Sequence, residues 1–437
     1  MENNIVKPST LPGFLEFLPA DQILFNNMLD TIRKNYENFG FIPQETPILE
    51  KSEVLLAKGG GDTEKQIYRF TKGDTDMSMR FDLTVPLARY VAQNMNELNF
   101  PYRRYQIGKV YRGERNQRGR FREFYQCDID IIGNGKLSII NDAEIPAVIY
   151  STFKDLGFDA FEININNRKI LNGFFNAVGI EDKTEVLRTI DKLDKIGIEG
   201  VRKELKDRGI SEEQLSRIEE FIKLDGATDK VIEDLKNLDI TEEEFLEGIA
   251  EMEKVVMYIR DFKVPEENFK LNLKIARGLD YYTGTVYETI LKDYPSIGSV
   301  CSGGRYDNLA GYYTKQKLPG VGISIGLSRL FYQLKEAKII EAGASTLTEV
   351  MIVPMDENIS YSISTANKLK GKGIIAQVYF EEGKLAKKLN YANKLGIPYV
   401  IIIGSEERES GKLTLKDMAK GDQKSCSIEE VIKLIKG

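Results

Sequence analysis

Strand-like sequence lies on both sides of a long, charged helical block, and that interruption constrains the fold more than any other feature of the chain. From about 172 to 262 the pattern is one of short helices, with 14 Lys and Arg against 24 Asp and Glu over 180–262. Ser211-Glu-Glu-Gln214 and Thr241-Glu-Glu-Glu244 read as capping boxes, in which a hydroxyl and a carboxylate or amide satisfy the first free N–H groups of a helix. Strand-like sequence then resumes at Lys270–Ile275, so the block reads as a helical insertion.

Upstream, Asp21 to Phe39 predicts a helix, with Ile23, Leu24, Met28, Ile32 and Tyr36 near a 3.6-residue period. The prolines of Gly40–Pro47 force extended chain. Strands are expected near 66–70, 77–82, 103–112 and 120–132, and a helix near 84–93. After the insertion, 277–333 carries three strand patterns and a helix from about 326. Residues 335–346 read as a linker. Beyond it, strands at 349–355, 374–380 and 398–404 alternate with helices at 357–371 and 384–396. A short extended piece, Lys412–Lys416, and a terminal helix over 427–436 follow. Such alternation predicts a small α/β domain around a mixed sheet.

Composition removes several classes of mechanism. The 437 residues include no histidine, so no Ser-His or Cys-His nucleophile, HExxH zinc site or imidazole base is available. The three cysteines, Cys127, Cys301 and Cys426, are far apart, which argues against a disulfide framework or a Cys-ligated metal. No apolar run reaches the roughly 18 residues of a membrane span. The amino terminus lacks the basic start and apolar block of a secretory signal, so a cytoplasmic protein is expected. A net charge of −6 excludes a strongly basic nucleic-acid binder while allowing a locally basic surface.

Chemistry must therefore run on arginine, lysine, carboxylates, hydroxyls or bound metal, and three segments concentrate the side chains among these. Arg277-Gly-Leu-Asp-Tyr-Tyr-Thr-Gly-Thr-Val-Tyr-Glu288 puts one fixed cation and three phenols into a strand-like stretch, able to line a pocket for a polar anion or to be merely an aromatic strand. In Val110 to Asp130, five arginines fall between two strand-like runs. Arginine's rigid fork suits phosphate. On a hairpin, Arg112 and the even-numbered Arg120, Arg122, Phe124, Gln126 and Asp130 would project from the sheet, facing set by the register. In Gly320 to Leu330 a small-residue strand runs into a helix with Arg329 in its first turn. Asp82-Leu-Thr84 closes a strand ahead of a helix, where Asp or Thr is also an ordinary N-cap. Lys58-Gly-Gly-Gly-Asp62 lacks the GK[ST] ending of a P-loop and reads as a plain loop.

The 277–288 string resembles the histidine-specific motif of the histidyl-tRNA synthetase family. The Val110–Asp130 and Gly320–Leu330 segments resemble motifs 2 and 3 of class II aminoacyl-tRNA synthetases. The segment around Pro47 is similar to motif 1, which builds the dimer interface in that class. Gly303-Gly-Arg305-Tyr-Asp307 resembles a second histidine-specific motif, with Arg305 and Tyr306 as pocket-floor candidates. One departure is Ser328, where an acidic residue is usual.

The resemblance implies an α+β catalytic domain over 1–333, an antiparallel sheet flanked by helices with the helical insertion. A linker at 334–346 and an anticodon-binding α/β domain at 347–437 would follow. It implies ATP-dependent activation of L-histidine and transfer to tRNA(His) by a homodimer, with Mg2+ accompanying ATP and no other metal. Arg277 and Arg112 would be catalytic. Asp82, Thr84 and Gln126 would hold the amino group, Asp130 and Tyr282 would bracket the imidazole, and Tyr281 would stand beside them. Arg112 would grip the α-phosphate and the carboxylate. Glu114, Phe124, Arg120 and Arg329 would complete the ATP site, and the loop 113–121 would reach toward the tRNA acceptor end. The alternative is a histidine-binding regulatory paralogue of ATP phosphoribosyltransferase. It would lack the arginines of motifs 2 and 3 and the carboxy-terminal domain, all of which are present here.

Overall fold

The computed structural model describes residues 6–57, 62–115, 119–190, 192–275, 281–355 and 358–437. Two compact units divide the chain: the residues up to Leu15 with Leu29–Ala337, and Glu16–Met28 with Lys338–Gly437. Arg277 and most of the loop predicted at 58–62 lie outside the described residues, as does part of the loop 113–121.

The larger unit is built on an eight-stranded sheet. Its strands are β1 (Ile42–Pro43), β2 (Tyr102–Tyr111), β3 (Glu123–Ile132), β4 (Phe161–Asn167), β5 (Phe269–Leu271), β6 (Thr285–Leu291), β7 (Ser299–Tyr306) and β8 (Gly320–Ile325). Their order is β1-β2-β3-β8-β7-β6-β4-β5. Every pairing between β2 and β4 is antiparallel, while β1 lies parallel to β2 and β5 parallel to β4. The expected antiparallel sheet is thus the centre of a mixed one.

A parallel pair cannot be closed by a tight turn and needs a long crossover. Between β4 and β5 that crossover is the charged helical block. It opens with α-helix Arg168–Val178, capped by the Asn167 side chain, and ends with α-helix Glu243–Asp261. These two helices pack so closely that a Cβ on Gly173 would collide with the Phe245 backbone, and one on Gly248 with Ile170. The Ser211 capping box forms in both directions. The one expected at Thr241 does not: the helix is capped at Glu242 without a side-chain bond. Glu244 is instead drawn to Asn172 and Asn176 of the neighbouring helix, so tertiary partners outcompete the local cap.

Other helices cover the sheet. The first, Pro19–Asn38, buries Ile32 and Tyr36 from its second half. Helix Ile140–Asp155 is not evident in the sequence. It contains Pro146 and buries Ala143, Ile145, Ala147, Val148 and Ile149, a nearly all-round apolar surface that leaves no amphipathic period to read. A small sheet orders Leu49–Lys51, Thr75–Met79 and Arg69–Lys72. Its strands fall two or three residues from the expected 66–70 and 77–82, and Asp82 lies beyond them.

The smaller unit contains β9 (Val350–Pro354), β10 (Ala376–Val378), β11 (Tyr399–Ile403), β12 (Leu413–Asp417) and β13 (Gln423–Cys426) in the order β10-β9-β11-β12-β13. The first three are parallel and the last two add antiparallel. Val350, Ile352, Ile401, Ile403, Leu413 and Val431 share its core. Helix Ser405–Ser410 and strand β13 are additions to the expected pattern. Among the described residues no helix is long and apolar enough to cross a membrane.

Candidate active site

Side chains alternate faces along a strand, and on β3 that alternation separates core from site. Cys127, Ile129 and Ile131 are fully buried, and Tyr36 donates to the Cys127 carbonyl (2.9 Å). On the other face Phe124, Gln126, Asp128 and Asp130 line a cavity of about 440 Å³, a size suited to a small molecule. The strand begins at Glu123, not at 120, so Arg120 and Arg122 precede it. Arg122 turns to the Glu114 carbonyl (3.1 Å), whereas Arg120 lines the cavity and approaches Glu114 at 3.5 Å.

The remaining walls come from distant parts of the chain. Arg112 follows β2, and its guanidinium lies over the rings of Phe81 and Phe124, 4.4 and 5.1 Å from their centroids. Burial pulls its pKa down, opposed by Asp82 and Glu114, and an arginine remains charged at any working pH. Arg80 anchors the segment before Asp82: it donates to the carbonyls of Thr46 (2.6 Å) and Lys109 (2.7 Å). Asp82 accepts from the backbone N–H groups of Thr84 (3.1 Å) and Val85 (2.8 Å), and both Asp82 and Thr84 line the cavity. Asp82 is therefore a helix-start acceptor and a cavity residue at once.

Tyr281 and Tyr282 form another wall with Tyr306, ring edges meeting faces at 4.9 and 5.8 Å. Burial, and then neighbouring phenols or carboxylates, push all three hydroxyls above the usual phenol range. Asp130 already has two protein partners: the Tyr306 hydroxyl donates to it (2.6 Å), and the fully buried Arg104 pairs with it (2.7 Å). Burial raises the Asp130 pKa against the pull of Arg104 and Tyr306. Gly322 lies beside it, where a Cβ would collide with Asp130 and the Ile129 carbonyl.

Arg329 of helix Leu327–Glu336 also lines the cavity and donates to the Ile297 carbonyl (3.1 Å). The Ser328 hydroxyl accepts from the Tyr125 backbone N–H (2.9 Å), which ties this helix to β3. Arg305 does not reach the cavity: it is held by Asp142 (2.6 Å) and the Ser138 carbonyl (3.2 Å).

Thus Asp82, Thr84, Arg112, Glu114, Arg120 and Phe124 share one cavity with Gln126, Asp130, Tyr281, Tyr282 and Arg329. Asp128, Glu288 and Ser324, which no sequence expectation named as site residues, line it too. Asp128 was recoverable, since it stands between Gln126 and Asp130 on the same strand face.

A sequence model of the family "Histidyl-tRNA synthetase" matches residues 13–330, and one described as "Anticodon binding domain" matches 349–437. The chain belongs to the histidyl-tRNA synthetase family. It is 64% identical to the histidine--tRNA ligase of Clostridium tetani over 437 residues, all of both chains. It is 51% identical to that of Clostridium acetobutylicum, covering 98% of this chain and 100% of the relative. The solved histidyl-tRNA synthetase from Nostoc sp. PCC 7120 superposes with a TM-score of 0.92 at 42% identity, covering 99% of each chain. An ATP phosphoribosyltransferase regulatory subunit/histidyl-tRNA synthetase from Bacillus halodurans C shares the fold, with a TM-score of 0.76 at 23% identity over 91% of this chain and 99% of its own.

Proposed function

We propose that the chain ligates histidine to tRNA(His). Histidine and ATP give histidyl-adenylate and pyrophosphate, and the histidyl group then passes to the tRNA. The observation that carries this reading is the meeting of three arginines, an aromatic ring and a set of buried hydrogen-bonding groups in one cavity. Arg112, held against the Phe81 and Phe124 rings, takes the histidine carboxylate and the α-phosphate, whose charges would otherwise repel as they meet. Phe124 stacks on the adenine, Glu114 accepts from it, and Arg120 and Arg329 hold the outer phosphates. Arg277 stabilises the charge that develops at the α-phosphate, the kind of preorganised donation that dominates such steps.

Asp82, Thr84 and Gln126 receive the ammonium group, while Asp130 and Tyr282, with Tyr281 beside them, face the imidazole. An imidazole offers one donor and one acceptor, or two donors when charged. Acid and phenol together meet either form, and a site built on such bonds strongly rejects ligands that lack them. Magnesium comes with the nucleotide. Glu288 is a cavity carboxylate of the hard-oxygen type that such a cation takes.

The catalytic domain occupies 1–333, with a linker at 334–346, and residues 347–437 hold the anticodon arm. The enzyme is a cytoplasmic homodimer joined near Pro47. Exposed Ile42, Ile48, Leu49 and Phe70 provide apolar surface there. ATP–pyrophosphate exchange across the twenty amino acids, with charging of tRNA(His), tests the reading. Exchange with histidine alone is expected; exchange with a different amino acid only, or with none, overturns it.

A further inference from the structure

We propose that Asp128 is a further specificity-determining residue: its unpaired carboxylate oxygen accepts from an N–H of the bound amino acid. The inference rests on the reading that this cavity binds histidine.

Geometry carries it. Asp128 is 2% exposed, lines the cavity, and pairs in register with Gln106 on β2 and Ser324 on β8. Its Oδ1 is buried without a hydrogen-bond partner, and so is Oε1 of Gln126, two residues away on the same face. A buried acceptor left unpaired is costly, so two unpaired acceptors on neighbouring cavity-lining residues call for a ligand rich in N–H donors. Histidine brings an ammonium group and an imidazole N–H. Arg104 lends its charge to Asp128, while its ion pair, at 2.7 Å, is with Asp130.

Electrostatics adds the proton. Burial, then Asp130 on the same strand and Asp82 before the helix at 84, raise the Asp128 pKa to about 7, while Arg104 on β2 and Ser324 on β8 lower it. Arg112 after β2, Tyr282, Tyr36 of the first helix, Cys127 of β3 and Cys301 of β7 are the other groups that feel its charge. At pH 6 the free enzyme holds Asp128 mainly as the acid and at pH 8 mainly as the anion. A donor N–H favours the anion, so binding lowers this pKa. Affinity then rises with pH through about 7, and a proton leaves.

The test compares the full-length enzyme with Asp128→Asn. Histidine binding is followed by calorimetry in buffers of different ionisation enthalpy near pH 7, and the exchange KM and kcat are followed from pH 6 to 8.5. The variant's KM is expected to match wild type at pH 6 and to exceed it roughly tenfold at pH 8.5, the scale on which a charged acceptor outdoes a neutral one. The change in kcat should be smaller, and the wild type should release more protons than the variant. Parallel pH profiles and equal proton counts, alongside normal wild-type exchange, overturn the Asp128 assignment alone. Absence of histidine-dependent exchange in the wild type overturns the histidine reading, and this inference with it. If Asp128→Asn does not fold, the wild-type proton count decides. A release no larger than the titration of free histidine accounts for overturns the inference.

Discussion

Arg104 and Asp130 are a buried ion pair at the floor of the proposed histidine pocket, and that arrangement changes what a substitution there reports. Asp130→Ala should raise the histidine KM and relax selectivity. It also strands the Arg104 charge, which typically costs about 3–5 kcal/mol, so its melting temperature must be read beside its kinetics. Unchanged affinity and selectivity would reassign the pocket. Arg277→Ala should cut adenylate formation by roughly 100-fold or more, the scale for one preorganised donor, with histidine binding weakened less. Near-normal exchange would remove that assignment. Asp128 makes a stability prediction of its own. Its folded pKa, about 7, lies above the ordinary carboxylate value near 3.9, so the folded state binds more protons between those limits. Stability therefore falls as pH rises from about 4 to about 7. Asp128→Asn should raise the melting temperature at pH 8 and leave it nearly unchanged at pH 4. Equal effects at both pH values would mean that the carboxyl does not titrate in that window.

At the scale of elements, β3 and the crossover helices show how packing chooses among local options. Period-two alternation put Phe124, Gln126 and Asp130 on one face from the sequence alone. Which face met the cavity depended on β2 and β8 pairing in register with Arg104 and Gly322 opposite Asp130. Thr241 satisfied a local capping rule, but Asn172 and Asn176, nearly seventy residues away, held Glu244 elsewhere. Gly173 marks the tightest point between those helices. Gly173→Ala should destabilise the fold by about 1–3 kcal/mol through overpacking, measured by denaturant melts, with the histidine KM unchanged. A neutral effect on stability would mean that the helices can part at no cost.

Across the whole molecule, we propose that the two activities separate with the two ends of the chain. Deleting residues 346–437 should spare much of the exchange reaction and cripple tRNA charging, measured on one preparation shown to fold and to keep its oligomeric state. Unimpaired charging would assign the carboxy-terminal unit another role. That unit has its own core, with Val350, Ile352, Ile401 and Val431 in one cluster, so its loss need not unravel the larger sheet.

The sequence by itself determined the elements whose physics is local. The helix at 19–38, the β2–β3 pair and the alternating strands and helices after 349 follow from apolar period. The absence of histidine removed every imidazole-based mechanism. Resemblance to the synthetase motifs marked Arg112, Gln126, Asp130, Tyr282 and Arg329. Helix Ile140–Asp155 was hidden because a segment buried on nearly all sides loses the period that betrays a helix. Tertiary structure alone decided that Arg305 is spent on Asp142, that Arg104 neutralises Asp130, and that the cavity-lining Asp128 keeps a buried oxygen unpaired. Each of these depends on which side chain lies across a strand or beneath a helix. Such neighbours are set by sheet register and by chain segments far apart in sequence, which no local pattern encodes.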